Sequence, residues 1–358
     1  MAAIRKPVVL VTGGRGLVGR AIQDEVAALD ASYPGGNAEW HFVHSGDADL
    51  RDPEATAALF DRVKPSHLVH LAARVGGLFA NMQDNLGFFE DNLKLNSNVL
   101  SNAARVGVKN AIFCLSTCVF PADAKLPITE EDLHKGPPHF SNEGYAYSKR
   151  MMECQVRYYR KAYNLPNWLC VVPTNIYGPY DNFHLVNSHV IPALIRKCYD
   201  AKKNGEAFVV LGTGKPLRQF IYSKDMAVSF ESRVLLICAL SLQRIIIHLL
   251  FKPPRTGDVD SRVGPAVDIV SYICCGDEDS EDGELSIADV ARGIAKAMDF
   301  RGKIKLDATQ SDGIYRKTAS NRRLRSEVLP SGYEFTPFEE GIAETCQWFI
   351  KNHEEARV

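Results

Sequence analysis

A doubly wound parallel α/β sheet followed by a smaller C-terminal lobe is the fold class this sequence predicts. Three observations carry that expectation. Strand-length apolar runs alternate with longer helical patterns through the first half of the chain. The runs are nearly apolar on both faces, as in a parallel sheet covered by helices on each side. At 358 residues the chain also exceeds what one compact core usually holds, so a second lobe is expected.

The elements follow in order. "PVVLVTG" (7–13) reads as the first strand and "LVGRAIQDEVAAL" (17–29) as a helix. "WHFVHS" (40–45) is a second strand, and "PEATAALFDRV" (53–63) is a helix with proline near its start. "HLVHLAA" (67–73) is a third strand, followed by a helix over 92–108 that stops at a glycine. "NAIFCLST" (110–117) is a fourth strand and "LCVVPTN" (169–175) a later one. In such a sheet ligands collect beyond the carboxyl ends of the strands.

Composition narrows the function classes. With 42 basic and 43 acidic residues the net charge is -1, so no basic excess points to nucleic acid or an anionic membrane. A bound anion must be held by local geometry. The N-terminal apolar stretch is only a strand's length, so no signal peptide is expected and a cytoplasmic location is. Nine cysteines without a repeating spacing fit reduced thiols. Neither Cys114/Cys118 nor Cys274/Cys275 has zinc-finger spacing, and no metal site is expected.

"VTGGRGLVGR" (11–20) sets Gly13, Gly16 and Gly19 three apart, with Gly14 beside them. Glycine weakens a helix by about 1 kcal/mol relative to alanine. Here it suits a tight turn, close approach of backbone to a pyrophosphate, and close packing of helix on strand. The helix N-terminus then offers free N–H groups and partial positive charge. An ordinary glycine-rich turn is the bland alternative, but the position after strand one selects a Rossmann-type nucleotide turn over Gly13–Gly19, Leu17 and Val18 included. After strand two, Ser45 and Gly46 offer no carboxylate to ribose hydroxyls. Asp47 and Asp49 come later, and Arg15 can meet a 2′-phosphate, so NADP(H) is expected over NAD.

"GYAYSKR" (144–150) places Tyr145 and Lys149 on one helix face. The lysine charge is expected to lower the tyrosine pKa and make it a proton donor or acceptor. Tyr199 and Lys203 share the same spacing with no chemistry around them, so spacing alone decides little. Ser116, at the end of strand four, separates the two pairs. In an extended segment Cys118 projects to the same side as Ser116 and can face the same ligand. A strand-end cysteine is otherwise a small buried hydrophobe, and His189 otherwise an ordinary polar contact.

Glycine turn, strand-end serine and YxxxK resemble the extended short-chain dehydrogenase/reductase superfamily. "LSTCVFP" (115–121), "GPPHFSNEGYAYSKR" (136–150), "PTNIYGPYDNF" (173–183), "SHVIPALI" (188–195) and "RQFIY" (218–222) closely resemble the GDP-L-fucose synthase family within it. The likeness covers most of 7–230 and resumes near 284. It implies an NADPH-dependent enzyme that epimerises GDP-4-keto-6-deoxy-D-mannose at C3 and C5 and reduces it at C4. Cys118 and His189 become the base and acid of epimerisation, and Tyr145 the proton donor to O4. Ser116 and Tyr145 hydrogen-bond that oxygen throughout, and Lys149 holds the nicotinamide ribose. Pro173, Thr174, Asn175, Ile176 and His189 line the cofactor. Lys197, Leu211, Arg218 and Asp312 match nucleotide-sugar positions, Arg218 by its guanidinium fork toward the diphosphate, with a surface salt bridge as its bland alternative. Leu211 stands where many relatives carry an aromatic residue.

The resemblance implies a homodimer, an NADP-binding domain over 1–175, and a mainly substrate-binding lobe over 176–358 from which 215–230 returns to the first domain. A 4,6-dehydratase or 4-epimerase shares the fold, but dehydratases usually carry Asp-Glu where Cys118 and Val119 stand here. A non-catalytic NADP-binding sensor is the other alternative, and the retained Ser116, Cys118, Tyr145, Lys149 and His189 speak against it.

The likeness fails over 232–262. Val234–Phe251 is mostly apolar, yet Gln243, Arg244 and His248 interrupt it, and an arginine at mid-bilayer costs roughly 2.5–3.5 kcal/mol. An added core helix or a subunit contact is the alternative, but an exposed surface cannot carry a stretch apolar almost all round. It is therefore expected to be an insertion foreign to the fold, looped out and dispensable.

Overall fold

The computed structural model describes residues 6–31, 35–185, 187–227, 245–251, 271–274, 283–310, 312, 314–329 and 331–357. The first unit runs β1 (Val8–Thr12), α1 (Leu17–Ala27), β2 (Glu39–Val43), α2 (Pro53–Val63), β3 (His67–His70), α3 (Leu78–Gln83), α4 (Asn85–Val106), β4 (Asn110–Cys114), α5 (Glu143–Tyr163) and β5 (Trp168–Pro173). There follow β6 (Asn175–Tyr177), α6 (Val190–Asn204), β7 (Phe208–Leu211), β8 (Leu217–Arg218), β9 (Phe220–Tyr222), α7 (Ser223–Ala227), α8 (Ile245–Phe251) and β10 (Ser271–Cys274). The chain closes with β11 (Leu285–Ser286), α9 (Ile287–Ala297), β12 (Ile304–Asp307), α10 (Arg322–Glu327) and α11 (Phe338–Asn352).

Six strands form one parallel sheet in the order β10-β5-β4-β3-β1-β2. Period-two alternation divides each strand between two cores. Leu10, Leu68, Phe113 and Trp168 face a core shared with α2, α4 and α5. Val9, Val69, Ile112 and Leu169 face the opposite core with α1, α8 and α10. A third core, around Ile191, Phe208, Ile294 and Phe349, belongs to the C-terminal lobe.

Asp52 caps α2, its side chain accepting from the Glu54 and Ala55 amides, and Pro53 occupies the first helical position as expected. The helix expected over 92–108 begins earlier, at Asn85. Its Asp84 cap and the Arg74–Asp84 ion pair, 2.7 Å, are contacts between neighbours that the apolar pattern did not reveal.

The segment expected to loop out requires correction. Its described part, α8, is a core helix: Ile245, Ile246, Ile247, Leu249 and Leu250 are wholly buried against the sheet. Asn110 donates to the Leu250 carbonyl at 2.8 Å, and Phe251 stacks on His67 at 4.8 Å. A helix apolar all round belongs inside a protein, which is where this one lies. The rest of 232–262 falls outside the described residues. From the second half the sheet takes β10 as its edge strand, and α8 and α10 pack on it, while β8 and β9 pair outside it, with β11 and β6 respectively. Among the described residues, no helix is long and apolar enough to cross a membrane.

Candidate active site

The strand order reverses direction at β1, which lies between β2 and β3. A cavity of about 960 Å³ opens there, beyond the carboxyl ends of β1 to β5. Gly13 turns the chain with φ +73°, and a Cβ on it would stand 2.9 Å from the Ala72 nitrogen. A Cβ on Gly19 would meet the Gly13 carbonyl at 2.5 Å. Gly13 and Gly19 thus answer to the protein's own packing. All three line the cavity, but Gly16 differs in that its Cβ would meet only the Gly13 oxygen, at 3.2 Å, and it is the N-cap of α1 without a capping side chain. The first-turn N–H groups of α1 are left for an anion.

Beneath this turn His70 is fully buried. Its Nδ1 lies 2.8 Å from Thr12 Oγ1 and its Nε2 3.1 Å from Asn96 Oδ1. Burial pulls its pKa down to about 3, so it is neutral and ties β1 to α4.

Beyond β2, neither expected acid is free for ribose. Asp47 accepts from the His44 amide at 2.8 Å, and Asp49 is bound by Arg51 at 2.8 Å. Exposed Arg15 lines this end together with His44 and Arg51, two residues that sequence reasoning passed over. The cavity's volume, its uncapped helix turn and the exposed Arg15 guanidinium fit a dinucleotide carrying an extra phosphate, Arg51 being held by Asp49 and Asp91.

Ser116, Tyr145, Lys149 and His189 line the same cavity, with Arg15, Gly16, Leu17 and Val18 and with the Pro173–Ile176 strip beyond β5. Gly144 lets α5 approach α4, because a Cβ there would overlap the Asn85 carbonyl oxygen at 2.0 Å. That approach seats Tyr145. Tyr199, by contrast, packs on Phe349 at 5.4 Å in the other lobe, so the second YxxxK is structural.

Two expectations fail here. The chain does not stay extended after Ser116: Thr117–Val119 forms a single 3-10 turn capped by Ser116, whose Oγ accepts from the Cys118 amide at 3.4 Å. The strand had to end because β4 pairs only to Cys114. Cys118 is consequently buried beneath Ser116 and does not line the cavity. Burial pushes its thiol up, opposed by Lys317, the Ser116 hydrogen bond, Lys149 and Arg150. Second, Lys149 does not lower Tyr145. Burial, then Cys118 and Cys114, drives the phenol well above its ordinary value. Lys149 is itself buried, which lowers its pKa, and it donates to the Cys114 carbonyl at 2.8 Å.

Four expected substrate residues lie on the C-terminal lobe and outside this cavity: Lys197 on α6, Leu211 and Arg218 at β7 and β8, and Asp312. Asp312 accepts from the Thr213 amide and hydroxyl, both at 2.7 Å. Arg218 is turned onto main-chain carbonyls, those of Ile314 at 2.6 Å and Leu217 at 2.7 Å, so its fork is engaged within the protein. Gly14 packs against Phe42, behind the turn. Sequence reasoning also missed Asp181, Asn182 and Arg357 in the cavity wall. The first two sit in "GPYDNF", a motif noticed as a whole but not residue by residue.

Fold and site together define a dinucleotide-binding α/β enzyme of the short-chain dehydrogenase/reductase kind. Residues 9–230 match the NAD dependent epimerase/dehydratase family, and the chain belongs to that family. It is 45% identical to GDP-L-fucose synthase of Dictyostelium discoideum, with 98% of each chain covered. It is 41% identical to a probable GDP-L-fucose synthase of Drosophila melanogaster, covering 98% of this chain and 99% of that one. A GDP-L-fucose synthetase from Naegleria fowleri bound to NADP superimposes with a TM-score of 0.82 at 39% identity, covering 100% of this chain and 97% of that one.

Proposed function

We propose that this protein converts GDP-4-keto-6-deoxy-D-mannose to GDP-L-fucose by epimerisation at C3 and C5 followed by NADPH-dependent reduction at C4. The observation that carries the reading is the single cavity shared by the glycine turn, Ser116, Tyr145, Lys149 and His189. Similarity over nearly the full length to GDP-L-fucose synthases supports it.

The C4 ketone acidifies the C–H bonds on both flanking carbons. Cys118 is the proposed base for C3 and then C5. It lies beneath Ser116 with its thiol pushed up by burial. Substrate binding must therefore open it to the cavity and ionise it, helped by Lys317, the Ser116 hydrogen bond and Lys149, which oppose that rise. His189 returns a proton on the opposite face at each centre. Between the two, the thiol gives up the proton it took and His189 takes one up, which restores both groups. Negative charge collects on O4 in each enolate, where the Ser116 hydroxyl and Tyr145 phenol donate hydrogen bonds. A phenol raised by burial stays protonated at neutral pH, which suits a donor. Bound NADPH supplies the hydride that reduces C4. Tyr145 gives its proton to O4 in that step, and buried Lys149 stands beside it as the nearby positive charge. Gly16 and the first turn of α1 would hold the pyrophosphate and Arg15 the 2′-phosphate, with Arg51 joining it once released from Asp49 and Asp91. Arg218, Lys197, Asp312 and Leu211 are the proposed nucleotide-sugar contacts. Arg218 must exchange its carbonyl partners for diphosphate oxygens. A homodimer and a cytoplasmic location belong to the same reading.

Product analysis tests it. Purified protein with NADPH and GDP-4-keto-6-deoxy-mannose is expected to yield GDP-L-fucose with one NADPH consumed per product. A reduced sugar of unchanged C3 and C5 configuration would leave a reductase alone.

A further inference from the structure

We infer that Asp181 is a positioning residue that keeps His189 supplied with its proton, an inference that rests on the acid role proposed for His189. His189 is the N-cap of the 15-residue α6, with no hydrogen bond from its side chain to the first turn. The field at a helix N-terminus opposes positive charge. An anion opposite the histidine offsets that field, so an acid at this position is served by a counter-charge.

Asp181 is the carboxylate that meets this need. It lies in the loop from β6 to α6, lines the same cavity as His189, and is only 5% exposed. Its Oδ1 accepts from the Asn182 amide at 2.7 Å, while among the described residues Oδ2 accepts no hydrogen bond. A buried carboxylate oxygen without a donor is costly and calls for a reason. The preceding residue, Tyr180, is held at φ +67°, a strained conformation for a side chain of its size. The loop is therefore constrained where it presents Asp181.

The charged groups facing Asp181 come from two elements, His189 at the start of α6 and Arg357 on the C-terminal segment. Arg357 is fixed by its guanidinium donating to the Tyr180 carbonyl at 2.7 Å and by its own carbonyl accepting from the Phe183 amide at 2.7 Å. Its positive charge acts on the same carboxylate as that of His189. Burial raises the Asp181 pKa, and His189 is the first of the groups that oppose the rise, ahead of the Asn182 amide and Arg357.

The pair is tested by histidine-labelled NMR on the full chain without substrate, with the His189 resonance assigned by its loss in His189→Gln. The isosteric Asp181→Asn is expected to move the His189 titration midpoint down by about one pH unit or more, a tenfold change in proton affinity. Arg357→Gln, at an exposed position, is expected to move it up. If Asp181→Asn does not fold, the direction in Arg357→Gln decides alone. A midpoint unmoved in Asp181→Asn, or one that fails to rise in Arg357→Gln, overturns the inference. Because the titration needs no turnover, a protein that shows both shifts but makes no GDP-L-fucose keeps the pair and loses the proposed reaction.

Discussion

Lys149 Nζ donates to the carbonyl oxygen of Cys114 at 2.8 Å, which pins the buried ammonium to the last residue of β4. From there it stands 5.8 Å from the Tyr145 ring centroid, near enough to supply positive charge but without a hydrogen bond to the phenol. The helix therefore contributes a protonated phenol beside a fixed cation, and burial outweighs the cation in setting the phenol's state.

A phenol that serves as donor makes Tyr145→Phe selective. Reduction at C4 is expected to slow by about 10²–10⁴, the usual span for loss of a general acid. Deuterium exchange from solvent at C3 and C5 is expected to persist at a reduced rate, because Ser116 still donates to O4. Single-turnover NADPH oxidation and mass spectrometry of the recovered sugar read the two steps separately. Equal loss of both would show that Tyr145 is needed for the enolates as well.

Cys118→Ser is expected to lower that same exchange by roughly 100-fold. NADPH affinity, measured by fluorescence titration, is expected to stay put, since Cys118 lies outside the cavity wall. Exchange at the unmodified rate in this variant would remove the cysteine from the mechanism.

The helix α8 carries a stability prediction opposite to the one its sequence suggested. Ile246→Ala empties a fully buried position and is expected to cost about 2–5 kcal/mol in urea unfolding. Deleting residues 232–262 takes α8 away entirely and is expected to give an aggregated chain. A deletion variant that stays monodisperse and binds NADPH would restore the view that the segment is dispensable.

Acid sensitivity follows from His70. Its folded pKa, about 3, lies below the ordinary value of 6.5, so below pH 6.5 the unfolded chain binds a proton that the folded one refuses. Stability is fully present above pH 6.5 and falls as pH drops from there toward 3, with a slope of up to about 1.4 kcal/mol per pH unit from this one residue. Urea midpoints measured at pH 7, 6 and 5 are expected to decline accordingly. His70→Asn should flatten part of that slope, and an unchanged slope would assign the acid sensitivity elsewhere.

Much of this protein was legible in the chain itself. Strands apolar on both faces and glycines at the first turn are local patterns that backbone geometry and burial enforce, so β1 to β5 and the nucleotide turn were readable from spacing. The YxxxK at Tyr145 and its likeness to a known family came from contiguous residues in the same way. Tertiary structure alone decided the rest. Which YxxxK matters depends on whether the helix carrying it reaches the carboxyl end of β4, and only α5, seated by Gly144 against α4, does so. Whether Lys149 or burial governs Tyr145 depends on how much water the packed lobes exclude. The mostly apolar 245–251 looked like part of a foreign insertion because nothing in its own residues says which face of the sheet lacks a cover. Asp181 lies 176 positions from Arg357, and the charges of Arg357 and His189 act on it only once the chain is folded, since electrostatic partnership acts through space and leaves no periodic mark on the sequence.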